Sequence, residues 1–307
     1  MRTATRFQTP PTRLWRFVQF PLTRIVIATV FLIAAVVPLQ GLATLMHVNV
    51  NPVSLPLAVV AVLVLVTIIA LMATYIAYVR LIERRPVTEL GTPGAASEFV
   101  VGFVIGGFLF CLLMLILWLA GVATIGIGPG WTAATLALLS ALELAVMQEI
   151  FFRAIVFRIA EQSLGTWIAL TLSVVVFGAA HGASPGASWI SEVTIGVEAG
   201  ALLAAVYVYT RRLWMVFGVN AAWNFVEDGV FGVSTAGHKD NGLLVSQFHG
   251  PAILTGGTAG PEVTVVALLI CLTAAIAFVL LARRKGHLVV PFWHRAPAEA
   301  SALKGAH

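Results

Sequence analysis

Two stretches of this 307-residue chain, 25–79 and 99–142, contain no Asp, Glu, Lys or Arg. A soluble domain does not keep runs of this kind, since average domains carry roughly 25 % charged residues. Here the charged fraction is 10 %, the hydrophobic fraction 60 %, and the mean hydropathy +0.98. Lipid tolerates such runs, at about 20 apolar residues for each helical crossing. Eight segments reach that length: 25–46, 56–79, 99–121, 132–157, 166–183, 191–210, 213–233 and 262–282. The first charge-free stretch is broken at Asn51-Pro52 and the second at Gly128-Pro129-Gly130, where turn chemistry interrupts the helix. The chain therefore reads as all-α, a polytopic membrane bundle of about eight transmembrane helices.

The cations set the orientation. Arg2, Arg6, Arg13, Arg16, Arg24, Arg80, Arg84, Arg85, Arg158, Arg211, Arg212, Arg283, Arg284 and Lys285 all fall on one side of such a bundle, and Lys239 alone on the other. The positive-inside bias places both termini in the cytoplasm. Residues 1–24 then form a cytoplasmic arm, 25–283 one transmembrane domain, and 284–307 a cytoplasmic tail. The arm is arginine-rich but lacks a small-residue cleavage site, which marks a retained segment and not a removed signal peptide. A net charge of +5 with its cations at span ends fits the lipid bilayer as partner and argues against nucleic acid. Cys111 and Cys271 lie inside apolar runs and read as packing residues. The Gly- and Ser-rich loop 234–261 is expected to fold back as a partial cap.

Polar residues inside the apolar segments are the candidate site. A charge at bilayer depth costs roughly 2.5 kcal/mol or more, so it persists mainly where it acts. The fourth segment carries Gln148, Glu149 and Arg153; Glu149 and Arg153 are four apart and share a helix face. Such a pair can fix helix register, or it can keep a carboxylate ionised beside a polar cavity. Glu143 falls on a different face. The fifth segment ends Phe177-Gly178-Ala179-Ala180-His181, with small residues that let a neighbouring backbone approach the histidine. The seventh carries Asn220 and Asn224, again on one face, whose amides can donate to an oxygen gaining charge. Carboxylate, imidazole and amides together suit hydrolysis of an amide by activated water. No Ser or Cys stands beside them as a nucleophile, and there is no HExxH, CxxC pair or Gly-rich phosphate loop. No cofactor is expected, and Glu with His alone makes too few ligands for a dedicated zinc site.

The ordered pattern resembles the CPBP family of intramembrane proteases, which includes CAAX prenyl endopeptidases and bacteriocin-processing proteins. The family's Glu-Glu-x-x-x-Arg stands here as Gln148-Glu149-Ile150-Phe151-Phe152-Arg153, its Phe-x-x-x-His as Phe177 to His181, and its His-x-x-x-Asn as Asn220 to Asn224. The flanks Phe152-Arg153-Ala154 and Ala221-Ala222-Trp223-Asn224-Phe225 also resemble it, over a core of about 95–283. The stretch 250–257 with Gly260-Pro261-Glu262 looks like a bacterial branch, which implies a bacterial cytoplasmic membrane. The resemblance implies a multi-helical fold, a water-filled cavity opening to the cytoplasm, and a peptide or membrane-protein substrate. It also implies glutamate-activated hydrolysis without a covalent intermediate, with the histidine sharing the water and the last motif forming an oxyanion pocket. Gln148 replaces the activating Glu and Asn220 the oxyanion His. Two readings follow: an endopeptidase with Glu149 or His181 as base, or a catalytically silent member that binds a membrane partner or confers bacteriocin immunity. Transport is a third, using Glu198 and Glu227-Asp228 as an ion path.

Overall fold

The computed structural model describes residues 13–45, 56–128, 130–182, 188–233 and 242–295. The break at Asn51-Pro52, Pro129, Lys239 and most of the arm and tail lie outside them. A short α1 (Arg13–Val18) precedes α2 (Pro21–Leu45), and α3 (Leu57–Tyr78) runs on through π-helical turns Val79–Glu83. Then come α4 (Ala95–Leu119) and α5 (Trp131–Glu149), which widens into π-helical turns Ile150–Phe157 before α6 (Arg158–Leu164). α7 (Thr166–His181) follows. α8 (Trp189–Ile195) passes through π-helical turns Gly196–Gly200 into α9 (Ala201–Thr210). α10 (Trp214–Asn224) ends in π-helical turns Phe225–Val230, and the single turn α11 (Ala252–Thr255) precedes α12 (Val265–Arg284).

These form a helical membrane bundle. Six continuous helical segments among the described residues are long and apolar enough to cross a bilayer, including Trp131–Leu164 and Trp189–Thr210. The other two expected crossings fall on α7 and on α10 with its π-helical turns, both shorter. Large apolar side chains such as Val30, Ile69, Val104 and Leu269 are exposed, as a lipid-facing surface requires.

The all-α expectation holds, with one small ribbon added to it. β1 (Ala123–Ile127) pairs antiparallel with β2 (Leu244–Phe248), Ala123 opposite Phe248 and Ile127 opposite Leu244. The partners are more than a hundred residues apart, so no local periodicity reveals the pairing. Ser246 Oγ also donates to the Phe231 carbonyl at 2.8 Å, fastening this part of the expected cap to the end of α10.

Two glycine crossings place the helices that matter. A Cβ on Gly102 or Gly106 of α4 would overlap the carbonyls of Met215 and Val219 in α10, so backbone meets backbone there. Gly178 of α7 packs in the same way against the Glu192 carbonyl and Gly196, which is the close approach beside His181 that the small residues suggested.

The end of the bundle that gathers the arginines is built from paired charges. Glu83 accepts from Arg158 at 2.7 and 2.8 Å and from Arg85 at 2.7 Å, and Arg24 binds it too. Arg85 also holds Glu89 at 2.9 Å, Arg211 pairs with Glu161, and Arg212 with Glu98 at 2.7 Å. Burial alone would raise the Glu89 carboxyl, but the hydrogen bonds from Arg85 and the charge of Arg158 outweigh it and hold it down at about 2.

Candidate active site

Gln148 and Glu149 are the last residues of α5, directly before the π-helical turns. Such wide turns shift side-chain register by one residue and concentrate at functional sites. Glu149 and Arg153 are fully buried and paired, Arg153 Nε lying 3.1 Å from Glu149 Oε2 and Nη1 3.2 Å from Oε1. Arg153 Nη2 also donates to the Ala199 carbonyl at 2.9 Å, and the guanidinium sits 4.7 Å over the Phe177 ring. One arginine thereby ties α5 to both α7 and the turns leading into α9.

His181 closes α7. Its Nδ1 lies 2.8 Å from the Phe177 carbonyl, and its ring stacks on that of Phe177 at 4.6 Å. A carbonyl only accepts, so Nδ1 is the donor, and the tautomer this selects has its lone pair on Nε2.

On α10, the Asn220 amide donates to Gln148 Oε1 at 3.0 Å and to Glu149 Oε1. Asn224 donates in turn to Asn220 Oδ1 at 2.6 Å and to its carbonyl at 2.9 Å. The two asparagines thus form a column whose donors are turned on one another and on α5. With its oxygen accepting from Asn220, Gln148 keeps its amide NH2 as its donor.

A cavity of about 240 Å³ lies between α5, α7, α9, α10 and α12. Gln148, His181, Asn220 and Asn224 line it, together with Phe177 and Trp223. Of the six residues singled out from the sequence, these four are brought to one space. Glu149 and Arg153 stand behind its wall, and Glu149 reaches it only through Asn220. Glu143 is apart, against the Thr67 hydroxyl.

The other half of the cavity is acidic. It holds the residues that the transport reading put on an ion path, Glu198 and Glu227-Asp228, together with Glu262, whose place there the sequence did not show. Glu198, Glu227, Asp228 and Glu262 line it from three places in the fold. A signal existed: Glu227 and Asp228 follow Asn224 by three and four residues, so all face one way along the helix. Glu198 and Glu262 come beside them only by packing. No group of His, Cys, Asp and Glu among the described residues is arranged to hold a metal ion. Cys271 lines the cavity as a buried free thiol, whereas Cys111 is exposed on α4.

The family described as type II CAAX prenyl endopeptidase Rce1-like matches residues 129–226, about a third of the chain. The chain carries an Rce1-like segment. It agrees with the CPBP resemblance of the motifs and holds all six of their polar residues, from Gln148 to Asn224. The Rce1-like segment ends one residue before Glu227, so most of the acidic half of the cavity lies beyond it. No curated protein and no solved structure matches the chain.

Proposed function

We propose that this protein is an intramembrane endopeptidase in which His181 is the base that activates water. An Rce1-like segment in a bundle of membrane helices suggests a CAAX-type membrane protease, and that coarse assignment stands on the family match. The observation that carries the finer reading is the contact of His181 Nδ1 with the Phe177 carbonyl, which leaves Nε2 as the ring nitrogen available to a water in the cavity shared with Gln148. In this mechanism Nε2 takes a proton from water as the water oxygen attacks the peptide carbonyl carbon. The carbonyl oxygen gains charge and accepts from the Gln148 amide. The imidazolium then returns its proton to the leaving nitrogen as the C–N bond breaks. Asn220 and Asn224 hold Gln148 in orientation, and Glu149, paired with Arg153, anchors Asn220. Gln148 thus donates where the family's Glu accepts, and the histidine alone carries the proton.

The test is cleavage of a quenched fluorescent peptide panel by the purified full chain in detergent. His181→Ala should abolish turnover while Glu149→Gln retains part of it; turnover surviving in His181→Ala would sink the mechanism. Gln148 favours a second reading, a silent relative that binds its partner through the same cavity, because an amide is no base near neutral pH. Under that reading the wild type is inert and Gln148→Glu turns over.

A further inference from the structure

The acidic half of the cavity has no role in the hydrolysis above. Glu198 and Glu227 are 2 % and 5 % exposed, yet Glu198 Oε2 and Glu227 Oε1 are buried without a hydrogen-bond partner. Asp228 and Glu262 share the space, and no Lys or Arg among the described residues lines it. A buried carboxylate oxygen left without a donor is costly, so its retention points to a donor that arrives from outside. Among the described residues no set of ligands is arranged for a metal ion, and several carboxyls around one space suit an organic cation as the donor. Such a group supplies several N–H donors to several carboxylates at once.

We infer that Glu198, Glu227, Asp228 and Glu262 form a subsite for the ammonium or guanidinium group of a basic peptide side chain. It rests on the peptidase reading only in taking the ligand to be a peptide. Position sharpens it. Gln148 is bonded to Asn220, and Asp228 lies eight residues further along the same helix, about 12 Å away. An extended peptide covers about 3.3 Å per residue, and a lysine or arginine side chain adds reach of its own. The subsite therefore reads a basic residue about two to four positions from the bond held at Gln148. The apolar remainder of the cavity, with Leu202, Leu203 and Trp223, suits the neighbouring aliphatic residues.

The experiment is fluorescence anisotropy of labelled peptides on the purified full chain in detergent, which reads binding whether or not cleavage follows. Peptides identical except for one Lys, Arg or norleucine are compared, with Ca2+ and spermidine as competitors. The basic peptides should bind about tenfold or more tightly than the norleucine peptide. In Glu198→Gln/Glu227→Gln, an isosteric pair checked for folding by its elution as a single species, that ratio should fall towards one. Spermidine should displace the basic peptides and not the norleucine peptide. Equal affinity for all three peptides, a ratio unchanged in the double variant, or displacement by Ca2+ in place of spermidine each overturns the subsite. An inert but lysine-selective protein would defeat the peptidase and leave the subsite standing.

Discussion

Two regions of this bundle bury carboxylates, and they do so in opposite ways. At the arginine-rich end, Glu83 is clasped by Arg24, Arg85 and Arg158, and Glu89 by Arg85. In the cavity, Glu198 and Glu227 keep oxygens with no hydrogen-bond partner beside Asp228 and Glu262. In the first region both oxygens of Glu83 and of Glu89 accept from arginines of the chain itself, and the pair therefore reads as structure. In the second, Glu198 Oε2 and Glu227 Oε1 are left for a donor from outside. Burial of a charge alone does not mark a functional site; an unpartnered carboxyl beside a cavity is the stronger sign.

The sharpest way to break this contrast is to remove one carboxylate from each region. Glu83→Ala strips three arginines of their shared acceptor and should cost about 3–5 kcal/mol, read as a lowered melting temperature in detergent. Glu198→Gln should leave that temperature unchanged or raised, since it removes a buried carboxyl whose Oε2 has no hydrogen-bond partner. Equal destabilisation by the two would erase the distinction. Next in size is His181→Ala, which should lower turnover at least about 100-fold with no loss of helical content by circular dichroism. A smaller effect separates the regions by pH. Burial, then the neighbouring Asp228 carboxylate, push Glu262 up to about 7. Its charge appears as pH rises through that value, so affinity for a lysine peptide should strengthen between pH 6 and 8. Glu89, held at about 2, stays ionised throughout. Its stabilisation is present above the usual carboxylate range and is lost only as pH falls towards about 2. Thermal melts should then show no loss at the arginine-rich end from pH 8 down to about 5. The smallest expected effect is that of Glu143→Gln, which touches neither region and should change both turnover and melting by less than about 0.5 kcal/mol.

The sequence was most legible where chemistry repeats along one helix. Glu149 with Arg153, and Asn220 with Asn224, are both i,i+4 pairs, and both meet as that spacing requires. It was least legible where a partner lies on another helix. Nothing near Glu149 says that Arg153 will cap the Ala199 carbonyl and withdraw the pair behind the cavity wall. Likewise Glu198 and Glu262 sit in unrelated stretches, and only the packing of α8–α9 and α12 around α10 makes them neighbours of Glu227. The β1–β2 pairing was hidden for the same reason.

The sequence by itself determined the membrane bundle, because two long stretches without charge leave lipid as their solvent, and it determined which polar residues stand inside that solvent. It also determined that Gln148 stands where the family's motif has a Glu. The tertiary structure decided which of those residues face a common space. Helix periodicity fixes a side chain's angle on its own axis, but which neighbour that angle meets depends on interhelical contact. Here that contact is set by glycines at 102, 106, 178 and 196, where one backbone lies against another. Through them His181 and Gln148 open onto one cavity, Glu149 is shut behind it, and four scattered acids become one surface.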